Sequence, residues 1–271
     1  MRDDPQINDI DNLNLSMKKL PNTVISLILL GGIPCNTSLS FITNFKDLQE
    51  LKIEYLHAEG FIGFEDLQHI IFPKLQILNF VYAFPKSELL MKFLKNNGNS
   101  LKEIYLFEKY INNIDNSINL AIAKFCPVLR KLSTAIKNNK LETLKIILDS
   151  CQYLESIKVC CGSLFLYEKE VLDTIMEYSK NIHEIILDYY EYLKVEILPE
   201  ELESFFLNWK NLIPQRSLSL VVVDSFSGLY EDVRKRKIIK KYIKLGVIKE
   251  FKVKDLSDED LYAPHRFKSA Y

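Results

Sequence analysis

The sequence predicts an α/β solenoid, with a curved parallel β-sheet on its concave side and helices on its convex side. Three observations carry this. Two near-copies of one phrase occur, Phe125-Cys126-Pro127-Val128-Leu129-Arg130-Lys131-Leu132-Ser133-Thr134 and Ser150-Cys151-Gln152-Tyr153-Leu154-Glu155-Ser156-Ile157-Lys158-Val159. The run Leu141 to Leu148 between them has the apolar rhythm of a helix. The same strand phrase then recurs along most of the chain at a nearly fixed interval.

The phrase supplies apolar triplets at Val24/Leu27/Leu29, Leu48/Leu51/Ile53, Leu75/Leu78/Phe80, Leu101/Ile104/Leu106, Leu129/Leu132/Thr134, Leu154/Ile157/Val159 and Ile182/Ile185/Leu187. Successive first residues lie 24, 27, 26, 28, 25 and 28 apart. That interval falls within the roughly 20–29 residues of a leucine-rich repeat. Two weaker copies follow, around Leu218/Leu220 and at Ile248/Phe251/Val253, and the longer spacing there predicts an inserted loop or a different cap. In Leu-x-x-Leu-x-Leu the last two apolar residues are two apart and share one face of a strand, so the residues between them face the other way. A single turn cannot bury its own apolar face, so stability comes from stacking on neighbours.

Helices are expected where the gaps carry one-sided apolar patterns: Ser87 to Lys95, Asn116 to Phe125, Glu168 to Tyr178, Glu201 to Trp209 and Val233 to Leu245. Ser87 and Ser117 read as N-caps, and Pro199 with Glu200 suits a first helical turn. Residues 1–19, rich in Asp and Asn, read as a mobile arm, 20–256 as the solenoid and 257–271 as a polar tail.

Composition bounds the function. The chain has 271 residues, 48% hydrophobic and 26% charged, an ordinary globular mixture. A formal charge of -1 gives no global field for nucleic acid or an anionic membrane, and neither is expected as a partner. No stretch reaches the roughly 18–20 apolar residues of a membrane-spanning helix, and Met1 to Pro5 is polar, unlike a signal peptide. Five cysteines, Cys35, Cys126, Cys151, Cys160 and Cys161, include no Cys-x-x-Cys pair. Reduced thiols in the cytoplasm or nucleus are therefore expected. Asn14-Leu15-Ser16 and Asn36-Thr37-Ser38 match the glycosylation triplet but, without a secretion signal, read as chance.

The repeated Cys126-Pro127-x-Leu129-x-x-Leu132 and Cys151-x-x-Leu154-x-x-Ile157-x-Val159, with looser versions at Phe45-Lys46-Asp47-Leu48 and Phe72-Pro73-Lys74-Leu75, resemble the cysteine-type leucine-rich repeats of F-box proteins. The similarity covers about residues 20 to 255. It implies a ribonuclease-inhibitor-like solenoid whose repeats bind a protein substrate, while a separate helical F-box binds the Skp1 adaptor of a ubiquitin ligase. The F-box itself is where the chain departs. Leu20-Pro21-Asn22-Thr23-Val24-Ile25 is only a faint echo of its opening, and Leu48 follows too soon for its helices. A Skp1-type adaptor is thus expected only if a longer gene product supplies an F-box. The alternative is a stand-alone repeat adaptor or scaffold with no link to ubiquitin.

No catalytic signature accompanies the repeats. His57, His69, His183 and His265 are scattered, and no HExxH, GxSxG or P-loop pattern occurs. Cys126 and Cys151 read as buried structural thiols, and Cys160 and Cys161 should face opposite sides of one strand. Asp188-Tyr189-Tyr190-Glu191-Tyr192 reads as a solvated strand end. No cofactor, metal or catalysis is expected. The expected protein-binding surface is the concave face, assigned by alternation to Glu50, Lys52, Asn79, Glu103, Tyr105, Phe107, Lys131, Lys158, Glu184, Ile186 and Asp188. Tyr105, Phe107 and Ile186 stand out there, because exposed aromatic and aliphatic side chains anchor protein interfaces. The basic run Arg234-Lys235-Arg236-Lys237 with Lys240, Lys241 and Lys244 reads either as an import or phosphate-contacting patch or as the wet face of a helix. The dry face of that helix would be Ile238, Ile239, Tyr242 and Ile243.

Overall fold

The computed structural model describes residues 22–31, 38–108, 116–189, 197–212, 216–224 and 232–254. The predicted arm 1–19, the tail 257–271, Cys35 and His265 lie outside them. The chain forms two compact units, residues 1–129 and 130–271.

The first unit holds strands β1 (Ser26–Gly31), β2 (Glu50–Tyr55), β3 (Ile77–Tyr82) and β4 (Glu103–Glu108). All neighbours are parallel and in chain order. Leu27, Leu51, Leu78 and Ile104 are successive register partners and are buried, as the apolar phrase requires. Short 3-10 turns, Leu39–Asn44 and Ala58–Gly60, and the one-turn helix α1 (Phe64–Leu67) fill the first crossovers. Longer helices, α2 (Ser87–Asn97) and α3 (Asn116–Phe125), follow β3 and β4. The core beneath the sheet is aromatic. Phe61 and Phe64 meet Phe80 at ring separations of 5.7 and 6.0 Å, and Phe93 lies 6.0 Å from Phe72.

The second unit repeats the plan. Strands β5 (Lys131–Thr134), β6 (Ser156–Cys161), β7 (Glu184–Tyr189), β8 (Leu218–Asp224) and β9 (Ile248–Lys254) are parallel and in order. Helices α4 (Leu141–Ser150), α5 (Glu168–Tyr178), α6 (Pro199–Lys210) and α7 (Val233–Lys244) alternate with them. Leu132, Ile157, Ile185, Leu220 and Phe251 form one register row, and the first four are buried. Phe205, Phe206 and Trp209 of α6 fill the space below, with Phe206 5.3 Å from Tyr242 of α7. The register slips between Leu218 and Ser219, where the sequence spacing had become irregular.

Two backbone devices recur. One is the turn before β2, β3, β4, β5 and β6, where the amide of Leu48, Leu75, Leu101, Leu129 or Leu154 donates to the carbonyl three residues earlier, at Phe45, Phe72, Gly98, Cys126 or Cys151. These five acceptor residues are all buried. The other is a carbonyl ladder. The Ile25 carbonyl accepts from Gln49 and Glu50, Gln49 from Gln76 and Ile77, and Gln76 from Lys102 and Glu103. In the second unit Arg130 accepts from Glu155 and Ser156, and Glu155 from His183 and Glu184. Asn97 adds a side-chain peg in the first unit. Its Oδ1 accepts from Phe72 N at 2.7 Å, and its Nδ2 donates to the carbonyls of Ile70 and Phe93 at 2.9 and 3.1 Å. Buried polar groups of this kind are tolerated because every valence finds a partner.

Several local expectations need correction. Ser87 is the first residue of α2 and not its cap, and Ser117 lies inside α3, because α2 begins one residue and α3 two residues earlier than the caps would have it. Leu198 N and Tyr167 N instead receive Glu201 and Glu170 side chains at 3.0 and 3.1 Å, so acidic residues in the first turn do the capping. Val253 is 53% exposed, since β9 has no further described strand beside it. The dry stripe of α7 is Lys235, Ile239 and Tyr242, with Ile243 exposed. That stripe keeps the i, i+4, i+7 spacing but runs through a lysine.

Candidate docking face

In each unit one sheet face packs on the helices, and the residues alternating with the core positions lie on the other. Register fixes them in rows. In the first unit the row nearest the strand starts is Ser26, Glu50, Ile77 and Glu103, and the next is Ile28, Lys52, Asn79 and Tyr105. Glu50 accepts from Ser26 Oγ at 2.7 Å, and Glu103 accepts from Tyr105 OH at 2.7 Å. Lys52 lies 3.4 Å from Glu54. Neighbouring hydroxyls and ammonium thus orient the carboxylates, which remain half-exposed. Phe107 sits in β4 opposite Val81, but its side chain lies outside the described residues.

In the second unit the corresponding first row is Lys131, Ser156, Glu184 and Ser219, extended by Glu250. Ser156 Oγ donates to Glu184 Oε2 at 2.5 Å. The next row carries Ser133, Lys158, Ile186, Val221 and Lys252. The third holds Cys160, Asp188, Val223 and Lys254.

Exposure divides the predicted surface. Glu50, Lys52, Glu103, Tyr105, Lys131, Glu184 and Ile186 are half-exposed. Asn79, Lys158 and Asp188 are not surface at all, at 1%, 4% and 0% exposure. Each stands on an interior strand with side chains on both flanking strands, and alternation specifies the face without specifying depth. Asn79 lies between Lys52 and Tyr105, and Lys158 between Ser133 and Ile186. Lys158 Nζ and Asp188 Oδ2 meet at 2.9 Å, so the buried charges neutralise one another. Tyr189 is buried too, so Asp188 and Tyr189 of the stretch read as a solvated strand end are interior, while Tyr190, Glu191 and Tyr192 lie outside the described residues. Ile28 and Leu30, 54% and 70% exposed on β1, and Glu250 and Lys252 on β9 belong to the same face. The alternation that picked out the other strands would have found them.

Burial disfavours the thiolate at Cys151, Cys160 and Cys161. Burial pushes Cys151 up to about 12, and burial followed by the nearby Asp188 charge raises Cys160. Cys161 is raised well above the ordinary thiol range by burial and then by the charge of Glu168. Nucleophilic chemistry requires a thiolate, which this environment disfavours. Cys126 and Cys151 are both buried, and Cys160 and Cys161 do face opposite sides, with Cys161 in the core. Among the described residues no group of three or more His, Cys, Asp and Glu is arranged to hold a metal ion. The chemistry available on the face is recognition through oriented carboxylates, ammonium groups, a phenol and an aliphatic side chain. No protein-family model matches the sequence, and no curated protein matches it.

Proposed function

We propose that the chain is a protein-docking module of the leucine-rich-repeat kind, binding its partner on the helix-free sheet face. One observation carries this reading. Glu50, Lys52, Glu103 and Tyr105 are held half-exposed in a fixed parallel register, each carboxylate oriented by a neighbour. A rigid ladder of this type loses little side-chain freedom on binding, which lowers the cost of association. In the second unit Lys131, Glu184 and Ile186 play the same part. The narrower role, substrate receptor of an F-box ubiquitin ligase, draws support from the resemblance of the turns at Cys126 and Cys151 alone. The work of the chain in either role is positioning, with no bond made or broken.

Site-specific photo-crosslinking tests the face. A benzophenone residue replacing Tyr105 or Glu184 should give discrete adducts in cells, while one replacing Leu207 on α6 should not. Equal labelling from all three positions would refute the docking face. Co-purification of a Skp1-type adaptor with the full gene product supports the narrower role. Adducts from positions 105 and 184 without that adaptor favour a stand-alone scaffold.

A further inference from the structure

The formal charge of the chain, -1, conceals a local separation. Residues 233–254, which form α7 and β9, contain ten Lys or Arg and one carboxylate, Glu250. Some of these cations are used inside the fold. Arg234 meets Asp232 and Glu200, Lys241 meets Glu203, Lys252 meets Glu250, and Lys235 is buried. Lys237, Lys240 and Lys244 are different: all three are exposed and have no partner among the described residues. With Val233 they follow i, i+4, i+7 and i+11, a single stripe along α7. The opposite stripe, Lys235, Ile239 and Tyr242, is buried, so the lysine stripe points away from the protein.

From this we infer that the outer face of α7 is a docking surface for an anionic lipid bilayer. Charge complementarity calls for a polyanion, and lysines clustered on an amphipathic helix are attracted to acidic headgroups. The aliphatic side chains select the lipid surface over a nucleic-acid backbone. Val233 lies on the lysine stripe at 56% exposure, and Ile243 and Leu245 flank it at 42% and 48%. A phosphate backbone would leave these groups in water, whereas a bilayer interface takes ammonium groups and aliphatic groups together. Contact is peripheral, because no described helix is long and apolar enough to cross a membrane.

The full chain is tested by co-sedimentation with vesicles of phosphatidylcholine alone and of phosphatidylcholine mixed with phosphatidylserine. Binding is expected only to the second, and should fall away as salt shortens the screening length from about 10 Å to about 3 Å. Each single Lys→Gln change at 237, 240 or 244 should weaken it about fivefold. The triple variant K237E/K240E/K244E should not bind. V233S/I243S should weaken binding a few-fold at unchanged salt dependence. All five positions are exposed, and melting curves matching the parent confirm that the variants fold. No pelleting, equal pelleting with neutral vesicles, salt-sensitive binding to a DNA duplex without binding to vesicles, or unchanged vesicle binding by V233S/I243S each overturns the inference.

Discussion

Lys158 Nζ lies 2.9 Å from Asp188 Oδ2, on adjacent strands and out of contact with water. The two residues are diagonal neighbours, since Lys158 faces Ile186 and Asp188 faces Cys160 in the parallel register. Breaking such a pair from one side strands a buried charge. Lys158→Met should therefore cost about 3–5 kcal/mol, whereas Lys158→Met with Asp188→Leu should recover most of that loss. Denaturant unfolding of both variants measures this. A single variant as stable as the parent would show that the pair is solvated.

The core phase rests on Leu132, which is 2% exposed and in register with Ile157. Leu132→Asp buries an unpaired carboxylate and should destabilise the protein by more than about 4 kcal/mol. Loss of the cooperative melt by circular dichroism is the expected readout. A melt within a few degrees of the parent would place Leu132 on the wrong face.

Gly98 has an ordinary helical φ of -62°, so space and not conformation demands glycine there. A Cβ would lie 2.4 Å from the Phe125 carbonyl oxygen and 2.9 Å from Cys126 Sγ. Gly98→Ala should cost about 1–3 kcal/mol by overpacking. Gly246→Ala makes the reverse case: φ is +72°, with nothing within 4 Å of the new atom. It should cost about 1–2 kcal/mol through backbone strain alone. Enlarging the residue separates the mechanisms in urea titrations. Gly98→Val should be worse than Gly98→Ala by several further tenths of its midpoint, while Gly246→Asn should recover stability relative to Gly246→Ala.

Burial raises the Cys151 thiol from 9.0 to about 12. Between those values the unfolded chain has released a proton that the folded chain keeps, so the unfolded state binds fewer protons. Stability must then fall as pH rises through that window. Cys151→Ala should remove this part of the slope whatever it does to stability at neutral pH. Parallel pH slopes for parent and variant, measured by denaturant midpoints from pH 8 upward, would show that the thiol titrates normally.

Much of this fold was legible because a parallel repeat imposes the same two-residue alternation on every strand. Leu51, Leu78, Leu132 and Ile157 fell into core rows from spacing alone, and α3 and α5 began and ended at their sequence-predicted residues. The 3-10 turn Leu39–Asn44 was not foreseen, since its apolar residues lack a full helical period. The candidate face was legible as a list of side chains but not as a depth profile. Asn79, Lys158 and Asp188 read as surface because they are polar and alternate with core residues. Their burial depends on what stands on the neighbouring strands, which is not a local property of sequence. Lys235 was hidden for the same reason, as a lysine among lysines whose place on the helix turned it inward.

The doubled hydrogen bonds at the carbonyls of Ile25, Gln49, Gln76, Arg130 and Glu155 involve only main-chain atoms. Alignment of one strand with the next is therefore written in a part of the chain that substitution leaves untouched. Mutation at the half-exposed positions of the face opposite the helices, such as Glu50, Lys131 and Glu184, can exchange charge for charge or polar for apolar, while the spacing of that palette stays the same. A scaffold built this way can change its surface chemistry without relearning how to fold.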